Sequence, residues 1–102
     1  KKAFGRYPSF YAAQAYDSIY LIKSAVEAVG GDMTNMDGMR AAMAAATFPS
    51  VRGEFTYGNN HFPIQNFYSR EVVEDADGVW TTAIRKVILK DHQDPYAKDC
   101  KM

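Results

Sequence analysis

His61 and His92 are the only histidines in the chain, and Asp91, Asp94 and Cys100 lie close to the second in sequence. Imidazole, carboxylate and thiolate are the usual zinc donors, so this set invites a metal reading. The spacing argues against it. No Cys-x-x-Cys or His-x-x-x-His pair is present to set two donors on one side of an ion. Both histidines are expected as solvated turn residues, and no metal site is expected. Asp17 and Glu27 could be imagined as an acid/base pair. Ten residues of helix span about 15 Å, too far for both carboxylates to reach one reacting atom. Both are expected on a solvated helix face. Gly30-Gly31 follows a helical run rather than preceding one, so its amides form no anion site. No Gly-x-Ser-x-Gly elbow occurs. Nothing near Cys100 would lower its pKa. It reads either as an unpaired terminal thiol or as the partner of a cysteine in an upstream segment. No catalytic residue and no cofactor is expected.

Aromatic residues are the remaining candidates. Tyr7, Phe10 and Tyr11 cluster with Tyr16 and Tyr20 at the start of the first helical run. They could pack core and rim with hydroxyls at the surface, or they could form a ligand wall. Spacing alone favours packing. The methionines at 36, 39 and 43 could line an adaptable groove, but a stripe at helical spacing favours core packing.

Two helices must carry these residues. The first is predicted over Phe10–Val29. Ala15, Ile19, Ile22, Val26 and Val29 recur at four- and three-residue steps, which makes one apolar face for the core. Lys23 and Glu27 stand one turn apart on a more polar side. Pro8 disfavours helix at Tyr7, Ser9 suits the N-cap, and Gly30-Gly31 suits the end. The second helix is predicted over Asn35–Ala46, with Thr34-x-x-Asp37 as a capping box and Met36, Met39, Met43 and Ala46 as its stripe. Pro49 closes it.

After Pro49 helical spacing disappears. Gly53–Tyr57 reads as a strand with Phe55 and Tyr57 on one face. Gly58-Asn59-Asn60 is a turn. Ile64–Val73 is a second strand with imperfect alternation. Asp77-Gly78 signals a hairpin, and Val79–Leu89 is the third strand. The last dozen residues are polar and irregular. The order is α+β, two helices and then a three-strand antiparallel meander, with the halves dividing near Pro49-Ser50-Val51.

Hydrophobic residues make up 47% of the chain, which argues against disorder. Lys+Arg and Asp+Glu both number 12, so nucleic acid is not an expected partner. No apolar run approaches the roughly 20 residues of a membrane span.

The order and spacing of several short motifs carry a resemblance. They are Gly5-Arg6-Tyr7-Pro8-Ser9, Ala15-Tyr16-Asp17, Ala25-Val26, Gly53-x-Phe55 and His61-x-Pro63-Ile64-Gln65-Asn66. Val72-Val73 and Asp77-Gly78 also fit. Together they resemble the C-terminal part of type I periplasmic solute-binding proteins of ABC transporters, in the branched-chain amino-acid group. The resemblance implies a piece of a two-lobe α/β fold. Residues 1–49 would be a helical segment of the first lobe, and 50–102 the hinge crossing and strands of the second. It implies periplasmic capture of a branched-chain amino acid or an aromatic carboxylate for a membrane permease, without catalysis. Tyr11 matches a position that faces the ligand cleft in relatives, and Phe10 is its weaker neighbour. The groups that grip the solute's charged ends would lie in upstream segments. Two alternatives stay open: a ligand-sensing domain of a regulator or receptor with the same fold, and a self-contained α+β interaction module. As a fragment, the chain is expected to bind solute weakly or not at all, and to self-associate through uncovered apolar surface.

Overall fold

Ser9 opens the first helix. Its hydroxyl accepts the Ala12 amide at 3.2 Å, pairing one of the donors that a helix start leaves free. In the computed structural model, which describes residues 1–101, α1 then runs Phe10–Ala28. It ends as predicted. Gly30 and Gly31 hold φ of 62° and 85°, and their amides donate to the Glu27 and Val26 carbonyls at 3.0 and 2.9 Å. A side chain at either position would be forced into the left-handed region, so glycine lets the chain reverse here.

The second helix, α2, spans Met36–Ala45, and its cap differs from the expected one. Asn35 is the N-cap, its side-chain oxygen accepting the Gly38 amide at 3.0 Å. The Thr34–Asp37 box does not form. Asp32, two residues back, captures the Thr34 hydroxyl at 2.6 Å and its amide at 3.0 Å, a local bond that competes with capping. Asp37 pairs instead with Arg40 at 2.9 Å. Met39 and Met43 are half-buried where α2 lies on α1, while Met36 is exposed.

Three strands follow: β1 (Thr56–Tyr57), β2 (Pro63–Glu74) and β3 (Trp80–His92). They form an antiparallel sheet in the order β1-β2-β3. Two helices followed by a three-strand antiparallel sheet is the α+β arrangement predicted. β1 is shorter than predicted because Gly53 sits at φ 93° and bends the chain before it. The uneven alternation of β2 has a structural basis. Register shifts fall between Gln65 and Phe67, between Phe67 and Tyr68, and between Ser69 and Arg70. Such bulges re-aim side chains and sharpen the twist. Asp77-Gly78 does close a hairpin, though not as a two-residue turn. Asp75 and Val79 pair through the Asp75 amide at 3.0 Å, with Gly78 at φ 75° as the left-handed residue of a three-residue loop. The polar tail holds a single 3-10 turn at Ala97–Asp99, pinned by the Asn59 side-chain amide on the Ala97 carbonyl at 2.7 Å.

The predicted core face of α1 is corrected in part: Val26 and Val29 are half-buried, but Ala15, Ile19 and Ile22 are exposed. Asp17, Leu21, Ser24 and Ala25 turn inward, whereas Ile19 on the other side is 66% exposed and Ile22 is also exposed. A helix apolar on both sides suits a position between two layers. The sheet shows the same property. Val72, Ile84 and Trp80 are exposed, and register pairs them with Thr82, Arg70 and Glu74 along one face. Accessible surface is 8022 Å², against about 5,800 Å² for a folded chain of this mass. The radius of gyration is 16.9 Å, against about 13 Å for a compact 100-residue domain.

Candidate functional site

The helical and strand regions meet at Asp17. It is 4% exposed, the one fully buried charged residue among those described. Ser50 Oγ donates to its carboxylate at 2.5 Å, the Val51 amide at 3.1 Å and Arg52 Nε at 3.1 Å. Ser50 Oγ in turn accepts the Arg52 amide at 3.0 Å. The expectation of a solvated Asp17 is therefore overturned, while Glu27 is exposed and pairs with Lys23 at 2.6 Å. The partners of Asp17 lie more than 30 residues downstream, beyond any local spacing rule. The one available signal was an acidic residue on the face that also carries Leu21 and Ala25.

Above this junction lies a cleft of about 300 Å³ walled by Gln14, Ser18, Leu21, Phe48, Arg52 and Tyr57. Its two aromatic walls, Phe48 and Tyr57, are joined by Phe55. Phe55 packs edge-on against Phe48 at 5.9 Å and Tyr57 at 5.3 Å, so Phe55 and Tyr57 share a face as predicted. The Arg52 guanidinium sits 4.8 Å from the Phe55 ring centre, a stacking geometry that suits its planar cation. Burial acts to raise the Asp17 carboxyl pKa, but the Ser50, Val51 and Arg52 donors outweigh it and the net direction is downward. Asp17 and Arg52 are therefore both ionised and balance, leaving a junction with no net charge.

The sign of the pH dependence follows. A carboxyl with a folded-state pKa below its unfolded value stabilises the fold fully above the unfolded pKa, about 4. That contribution is lost as pH falls through the folded value. Below pH of about 4, denaturation midpoints of the wild type should fall more steeply than those of Asp17→Asn. Parallel profiles would remove Asp17 from the linkage.

Phe10 and Tyr11 stand on the first turn of α1, their rings edge-to-face at 5.7 Å. They are 65% and 77% exposed and lie outside the Asp17 cleft. Along the chain they fall between that junction and Tyr7, whose hydroxyl donates to Asp75 at 2.8 Å. Among the described residues no three His, Cys, Asp or Glu side chains gather as a metal set. His61 is exposed in its turn at φ 56°. His92, expected in a turn, instead ends β3 half-buried, its ring 5.5 Å from Phe67. Extension of β3 beyond Leu89 carries it into the sheet. Cys100 is a free, half-buried thiol.

Comparison with known proteins accords with this architecture. The family described as periplasmic binding protein matches residues 1–78. A crystal structure of an ABC-transporter solute-binding protein from R. palustris, in complex with benzoate, superposes with a TM-score of 0.82 at 36% sequence identity. That match covers 99% of this chain and 26% of the other, so the chain spans about a quarter of its neighbour's length. No curated protein matches. Matched over most of its length, the chain belongs to the periplasmic binding protein family.

Proposed function

We propose that the chain is the C-terminal segment of the solute-binding component of an ABC importer, and that the solute is a small carboxylate, aromatic rather than aliphatic. The observation that carries this is the likeness over 99% of the chain to a solute-binding protein holding benzoate. Residues 1–49 belong to the first lobe, and 50–102 to the hinge crossing and the second lobe. The contact pattern supports that division. Among the described residues neither helix packs on β2 or β3; of the strands, α2 touches only β1, next to the Asp17 junction. Phe10 and Tyr11 present exposed ring surface at the start of α1. An aromatic solute would find a π-face there, and its carboxylate would be held by residues from the rest of the protein.

The mechanism is non-catalytic. Solute binds better to the closed arrangement of the lobes and shifts the population toward it. A membrane permease then reads the closed form, which puts the protein in the periplasm. In the full-length protein, Tyr11→Ala should weaken benzoate binding by about 10-fold in calorimetric titration, the loss of one aromatic contact and its buried area. Phe10→Ala should have a smaller effect. An unchanged Kd in Tyr11→Ala would take Tyr11 out of the cleft.

A further inference from the structure

The helical and strand regions touch a second time, far from Asp17 along both elements. Lys1 Nζ meets Asp75 Oδ2 at 2.5 Å and also pairs with Asp77. The Tyr7 hydroxyl donates to the same Asp75 oxygen at 2.8 Å, and the Lys1 ammonium lies 5.4 Å from the Tyr7 ring centre. Asp75 is a prepared acceptor. Its other oxygen takes the Asp77 and Val79 amides, each at 2.9 Å, so the hairpin loop holds the carboxylate rigidly toward the arm. Its side chain is only 15% exposed and that of Lys1 26%, which marks a contact more enclosed than a surface ion pair. Lys1 above all, with the Val79 amide and Tyr7 hydroxyl, holds the Asp75 carboxyl well below the usual carboxylate range, so the acceptor is charged at neutral pH.

The placement gives this contact a role. It joins the segment before α1 to the tip of the β2–β3 hairpin, and Phe10 and Tyr11 lie three and four residues after Tyr7 in the chain. Resting on the lobe division proposed above, we infer that Lys1 and Tyr7 close on Asp75 as a clasp between the lobes. Tyr7 is a positioning residue: when the clasp is made, the two lobes are held together beside the Phe10–Tyr11 wall; when it is released, only the Asp17 junction and the hinge hold them. Asp75 itself accepts the amides that shape the loop, so Tyr7→Phe removes the hydroxyl's share of the clasp and leaves the loop and the Lys1 pair intact, while Asp75→Asn keeps an acceptor for the loop amides but loses the charge that holds Lys1.

Two distance measurements by paired spin labels in the full-length protein, with Cys100→Ser as background, test the inference without any solute. Labels at Lys2→Cys and Ala76→Cys report the clasp. Labels at Lys23→Cys and Lys86→Cys report the two lobes. Both distributions should shift to longer, broader distances in Tyr7→Phe and Asp75→Asn, with the double variant no wider than the wider single one. If neither pair moves, the clasp is overturned while the lobe division stands. If only the Lys2–Ala76 pair lengthens, the contact merely pins the arm, and the clasp's role is overturned while the lobe division stands.

Discussion

Asp17→Ala is expected to destabilise the full-length protein by about 3 kcal/mol, the lower end of what breaking a buried ion pair costs. The truncation leaves three donors without their acceptor: Ser50 Oγ, the Val51 amide and Arg52 Nε. Each buried donor left unpaired costs about 1–3 kcal/mol. The Arg52 side chain is partly exposed, so water recovers part of that loss and keeps the total below the simple sum. Asp17→Asn should cost less. Its carbonyl still accepts from Val51 or Ser50, but its amide hydrogens oppose the Arg52 guanidinium. The check is a denaturant titration. The midpoint should fall with little change in slope, because the same surface is exposed on unfolding. A loss below about 0.5 kcal/mol, the range of an ordinary surface substitution, would mean that the junction holds nothing together.

The second large effect concerns the chain by itself. Ile19, Ile22, Trp80 and Ile84 are exposed on α1 and the sheet, and the molecule carries roughly 2,000 Å² more surface than its mass requires. A standard stable interface buries about 1,600 Å² in total, so the excess is of the size that association would cover. The isolated 102-residue chain should therefore run as a dimer or larger species in light scattering at high concentration, and bind a hydrophobic dye. Substituting Ile19→Glu and Trp80→Glu together should return it toward monomer. A monodisperse monomer without dye binding would indicate that the exposed faces are already satisfied, contrary to the proposed placement of α1 between two layers.

Much of the fold was legible in local sequence, because local chemistry sets it. Ser9 and the Gly30-Gly31 pair bound α1 where they should. Asp77-Gly78 closes the β2–β3 hairpin, since a left-handed residue is needed wherever such a loop turns. What sequence periodicity could not rank was which apolar face of α1 is inward. Ala15, Ile19, Ile22, Val26 and Val29 make the cleaner stripe, yet only Val26 and Val29 of it are half-buried, and the most buried face carries Asp17, Leu21, Ser24 and Ala25. A helix with two apolar sides gives no single answer to a pattern test. The polar joints were hidden for a different reason. Asp17 finds its partners 33 to 35 residues away and Tyr7 finds Asp75 across 68. Neither pairing has a spacing rule, because tertiary structure alone brings the groups together. Thr34 shows the converse, a motif matched in sequence and lost to a nearer competitor, Asp32. The candidate site was legible only through resemblance: Phe10 and Tyr11 have no neighbours in this chain that mark them as ligand contacts.

In the proposed function this chain supplies part of a solute-binding cleft and does not make one alone. Isothermal titration of the full-length protein and of the isolated chain with benzoate, and with leucine as the aliphatic comparison, tests it directly. One benzoate per full-length protein is expected, with weaker or absent heat with leucine and no measurable binding by the isolated chain. Tight one-to-one binding by the isolated chain, or a full-length protein that takes neither solute, would contradict it.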